Sequence, residues 1–147
     1  MLMPKGAWIV VADGEKAMIL ENVGTPVAPR LHLVSRDEAE AVVGASDRAG
    51  RMADGGPNQR SALEQTDYAR LNAERFMADL IGTLDHKRSK GAFEALILVA
   101  PPQVLGALRD GMTDALRALV VAEVDKTLTK HPLPKITDLV VAEIDLL

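Results

Sequence analysis

The chain has 147 residues, a net charge of −4 and 48% hydrophobic residues, the balance of one soluble globular domain rather than of a disordered or membrane-spanning chain. It has no cysteine, which excludes a disulfide framework, a thiolate metal site and a catalytic thiol. Aromatic residues make up only 3%, too few for a platform that stacks the bases of a single strand.

Residues 7–13 read as a buried strand, because the run is apolar, rich in β-branched residues and stops at the turn pair Asp13-Gly14. Residues 16–21 read as its hairpin partner. The stretch 22–30 holds Gly24, Pro26 and Pro29 and reads as a loop; residues 31–35 alternate and predict a third strand of a meander. Residues 36–66 carry little apolar periodicity and include Gly44, Gly50, Gly55, Gly56 and Pro57. They predict a long loop, with a short helical turn around 37–43. Long loops in compact domains are commonly functional.

From Asp67 the pattern changes. Ala69, Ala73, Phe76, Met77, Leu80 and Leu84 recur at three- and four-residue steps, which predicts an amphipathic helix of about 20 residues. Thr66 or Asp67 is placed to cap it. The cations His86, Lys87 and Arg88 suit its C-terminus and Gly91 its exit. Residues 94–100 predict a central strand that Pro101-Pro102 ends. A helix or helix pair follows over 103–118, then a fifth strand over 119–125 and a closing helix over 135–146. The order β-β-β-α-β-α-β-α predicts one α/β domain over 1–147, with a mixed sheet and helices on its faces. This order resembles ribonuclease-H-like domains and related domains of the translation machinery.

Chemistry-bearing constellations are sparse. A two-metal nuclease needs several carboxylates on neighbouring strands. Asp13 and Asp125 end two predicted strands, but the central strand ends at Ala100-Pro101. Asp13 therefore reads as a turn residue. His32, His86 and His131 have no metal-ligand spacing, and neither a nucleophile elbow nor a glycine-rich phosphate fingerprint occurs. No metal and no cofactor is expected. The unusual segment is 46–61, where Arg48, Arg51 and Arg60 can bind phosphate or carboxylate bidentately and Gly55-Gly56 allow close backbone approach. The acids Asp47, Asp54 and Glu64 can equally pair with those arginines in a solvated loop.

Several ordered pieces carry a family resemblance. They are Ile9-Val10-Val11-Ala12-Asp13-Gly14, Ser46-Asp47-Arg48-Ala49-Gly50-Arg51, the helix with Glu74-Arg75-Phe76-Ala78, the strand Leu96-Val99-Ala100-Pro101-Pro102, Leu105-Gly106-Leu108-Arg109, and Asp125-Lys126-Thr127-Leu128-Thr129. Together they resemble the bacterial host-attachment proteins, a family similar in turn to the central domain of archaeal and eukaryotic class I peptide-release factors. In that domain a Gly-Gly-Gln tip on a long loop promotes hydrolysis of peptidyl-tRNA. Here Gly55-Gly56 occupy the comparable place, and Pro57-Asn58 separate them from Gln59.

The resemblance implies a binding protein of the attachment family or, as the alternative, a ribosome-associated factor acting on peptidyl-tRNA. Arg48, Arg51, Gly55, Gly56, Gln59 and Arg60 are then the binding candidates, and Gln59 the sole candidate for chemistry. The expected partner is ribosomal RNA through the 46–60 loop, or a protein, a second copy included. No membrane association is expected. The run Ala7–Ala12 is too short for a signal-peptide core, so the expected location is the cytoplasm.

Overall fold

The structure is a computed structural model. It describes residues 1–39 and 70–147 in full, and the backbone alone of 58–69. Five strands form one mixed sheet: β1 (Trp8–Ala12), β2 (Lys16–Asn22), β3 (Leu31–Glu38), β4 (Leu96–Ala100) and β5 (Val120–Asp125). Among the described residues four helices accompany them: α1 (Asn58–Ser89), α2 (Pro102–Gly111), the single turn α3 (Asp114–Arg117) and α4 (Leu133–Asp145). The sheet order is β3-β2-β1-β4-β5. The β1–β2 and β2–β3 pairs are antiparallel; β1–β4 and β4–β5 are parallel. This is the α/β architecture that the sequence predicts, with the expected helix pair after β4 seen as α2 and α3.

The residue pattern explains the layers. β1 and β4 lie inside the sheet and are buried at every position, so they read as unbroken apolar runs. Side chains of a strand alternate between faces. Trp8, Val10, Leu96 and Leu98 face a core closed by Phe76, Leu80 and Leu84 of α1 and Leu105 and Leu108 of α2. Ile9, Val11, Ile97 and Val99 face a second core closed by Ile136, Val140 and Ile144 of α4. The turns are specified locally. Gly91 adopts φ 76° after α1, while its N–H donates to Arg88 O and the Ala92 N–H donates to Lys87 O at 3.0 Å. This left-handed exit satisfies the last carbonyls of the helix.

Three expectations need correction. β3 extends to Glu38, because Lys16 of β2 still pairs with it, so 37–38 are strand rather than a helical turn. α1 begins at Asn58, nine residues before Asp67, so Thr66 and Asp67 stand inside the helix and not at its start. The predicted 36–66 loop is therefore cut at both ends to 39–57, of which 40–57 lie outside the described residues.

Candidate functional site

The site is built at one rim of the sheet. β1, β4 and β5 end there, at Ala12, Ala100 and Asp125. β2 starts there and β3 finishes there, where the Ala39 N–H donates to Glu15 O at 2.6 Å. In open α/β sheets ligands gather at the carboxyl ends of the parallel strands.

α1 is far longer than the sheet requires. Its 32 residues span about 48 Å at 1.5 Å per residue. Among its described side chains, Phe76 is the first that is buried in the core. Asn58 thus stands about 27 Å along the helix axis from Phe76. Gln59 and Arg60 belong to this first turn and not to a loop, which corrects their expected setting. Arg48, Arg51, Gly55 and Gly56 lie outside the described residues.

Where α1 meets the rim, α2 runs beside it. The two helices and Gly14 enclose a groove of about 480 Å³, walled by Met77 and Ile81 of α1 and by Val104 and Ala107 of α2. Arg70 and Glu74 stand at its side. Gly111 lets the end of α2 approach closely, since a Cβ there would lie 2.7 Å from Ile81 Cδ1. The groove is apolar and shaped by two rigid elements, a setting for a ligand rather than for acid–base chemistry.

Asp13 has the structural role expected of it. One carboxylate oxygen accepts the N–H groups of Glu15 and Lys16, each at 2.7 Å, and so closes the β1–β2 turn. The other accepts from the Thr129 hydroxyl, tying this turn to the β5–α4 connection. Burial pushes the carboxyl up, but the hydrogen bonds from Thr129, Glu15 and Lys16 and the Lys16 charge outweigh it and hold the group below its ordinary value of 3.8. Thr129 was not legible from sequence, because no spacing links it to Asp13. Among the described residues no three His, Asp or Glu side chains converge as a metal site. Trp8 stacks on Phe93 with ring centroids 4.8 Å apart, and Phe76 is also buried. These aromatics belong to the core and offer no face to a base.

A family model described as bacterial archaeo-eukaryotic release factor family 12 matches residues 6–140. The chain belongs to that family. Membership bears out the release-factor side of the resemblance, and it says nothing of attachment to host cells. A solved structure described as the archaeal translation termination factor aRF1 is similar, with 13% identity and a TM-score of 0.48. The match covers 95% of this family member and 39% of the aRF1 chain, so the chain spans about two fifths of that protein's length. No curated protein matches the chain. Among the described residues no helix is long and apolar enough to cross a membrane.

Proposed function

We propose that this protein is a release-factor-like factor that binds the ribosome and recognises peptidyl-tRNA there. The observation that carries the reading is the family match across residues 6–140. It favours this reading over attachment to host cells. The length of α1 supports it, because its first turn carries Gln59 and Arg60 on a rigid element about 27 Å along the helix axis from Phe76. Arg48, Arg51 and Arg60 then contact backbone phosphates, which needs no aromatic stacking. Pro57 and Asn58 part Gly56 from Gln59, so the glycines and the glutamine do not form one continuous tip. The reading is therefore recognition, with no hydrolytic step assigned to Gln59.

Co-sedimentation with ribosomes tests it. The protein is expected to pellet with ribosomes at low salt and to be released at high salt. Replacing Arg48, Arg51 and Arg60 by Ala should weaken binding and lower the log–log salt slope by about 2–3. Gln59→Ala should leave binding unchanged. Absence of ribosome binding at low salt would reject the reading.

A further inference from the structure

A second cleft lies on the opposite, α4 side of the sheet. Like the groove it encloses about 480 Å³, but its character is different. The charged side chains that line it are Lys16, Arg36, Lys130 and Glu38, and His131 joins them. Three cations thus share one cleft with a single carboxylate.

The sheet register explains how they meet. Arg36 pairs with Met18, and Glu38 with Lys16. Met18 and Leu20 belong to the α4-side core, so Lys16, Arg36 and Glu38 share that face. Leu33 also packs on it, although it stands three residues from Arg36. A bulge at Ile19/Leu20 accounts for the odd spacing: β3 carries Val34 as an extra residue, and every side chain after it changes face. Without the bulge Arg36 would point to the other side of the sheet. The opposite wall comes from the β5–α4 connection. Leu128 and Thr129 are buried, Thr129 is bonded to Asp13, and the His131 N–H donates to Leu128 O at 3.2 Å. Lys130 and His131 therefore ride on a pinned turn.

Among the described residues these cations form no ion pair, although the Lys16 charge acts on Asp13. Among the described residues the ion pairs are Arg88–Asp85, Arg109–Glu123 and Arg117–Asp114, and none uses Lys16, Arg36 or Lys130. Asp13, beside Lys16, already accepts from Thr129 and two backbone N–H groups. The start of α4 adds a dipole of the same sign, with Pro132 as an N-cap that makes no side-chain hydrogen bond. Lys16, Arg36 and Lys130 are exposed, and three like charges lining one cleft favour an anion as their common partner. The volume exceeds a bare oxyanion and falls in the range of small-molecule sites. We infer that the cleft between β3 and the start of α4 binds a phosphate ester, with Arg36 and Lys130 holding the phosphate and Glu38 accepting from a sugar hydroxyl. Arginine supplies a planar fork that matches phosphate geometry, and lysine a point charge. This inference is separate from the proposed function and uses none of its residues.

The test is calorimetric titration of the full chain with ribose 5-phosphate and with ribose, at matched ionic strength. A 5′-phosphorylated and a 5′-hydroxyl RNA hexamer form the second pair of probes. The phosphorylated member of at least one pair is expected to bind, and its unphosphorylated counterpart at least about tenfold more weakly. Tighter binding of the RNA makes a 5′ end the source of the phosphate; equal or tighter binding of the sugar phosphate makes it a small metabolite. Arg36→Gln and Lys130→Gln should each weaken binding about tenfold with unchanged melting temperature, and Lys90→Gln beyond α1 should not. Equal binding within both pairs, no binding by any probe, or indifference to Arg36→Gln would overturn the site.

Discussion

Thr129 and Asp13 stand 116 positions apart in sequence, yet their side chains join two connections at the rim of the sheet. Because the folded carboxyl of Asp13 ionises below its ordinary value, it adds stability above about pH 4, and that contribution is lost as pH falls through the lowered folded value. Thr129→Val removes the donor while keeping the shape. It is expected to cost about 1 kcal/mol at pH 7, after allowance for the partial exposure of Asp13, and less as pH drops below 4. Urea unfolding of parent and variant at both pH values measures the gap; a gap that widens in acid would contradict the assignment. The turn role of Asp13 was legible, since Asp-Gly after a strand is a turn signal. Asn22 was not. It reads as the start of a loop, yet it is fully buried, donating to Met3 O at 3.0 Å and accepting the N–H groups of Gly24 and Arg30. Its role depends on backbone brought from elsewhere in the chain, which no local pattern encodes.

At the scale of elements, legibility followed burial. β1 and β4 were plain because strands buried on both faces show continuous apolar runs. The start of α1 was hidden because the regular apolar stripe of the sequence begins at Ala69, eleven residues after the helix begins. Propensity alone marks Gln59, Arg60, Ala62, Leu63 and Glu64 as good helix formers, and periodicity discounts them. The end of β3 was hidden because an edge strand with polar residues resembles a loop. Its bulge changes the face of Arg36, so the cationic cleft had no sequence signature. Two glycines show how elements meet. A Cβ on Gly24 would lie 2.7 Å from the Arg30 backbone nitrogen and against the Ala28 carbonyl, whereas one on Gly111 would meet only the terminal methyl of Ile81. Backbone cannot yield, but a methyl can rotate. Gly24→Ala is therefore expected to cost about 1–3 kcal/mol, and Gly111→Ala under about 1 kcal/mol, because the better helix former offsets the crowding. Thermal melts of the two variants compare them directly, and equal losses would refute the distinction.

For the whole molecule, the two cores are separate layers that share one sheet. α1, α2 and α3 cover one face and α4 the other, and the N-terminal amine donates to the carbonyls of Ile144 and Leu147. Neither layer has an independent backing, because each β1 and β4 residue is buried by one layer while its neighbour is buried by the other. Loss of one layer exposes an apolar sheet face and weakens the strands that the other layer needs. The molecule should therefore unfold as one unit. Trp8 reports on this, since it is packed against Phe93 on the α1 side and its indole N–H donates to Glu21 at 3.1 Å. Ile136→Ala removes fully buried volume from the α4 side alone and is expected to cost about 2–4 kcal/mol. Leu84→Ala does the same on the α1 side. In each variant the denaturation midpoint read by Trp8 fluorescence should shift by the same amount as the midpoint read by far-ultraviolet circular dichroism. If Ile136→Ala moves the dichroism midpoint and leaves the Trp8 midpoint in place, the layers are independent. The two clefts on opposite faces could then not influence each other through the sheet.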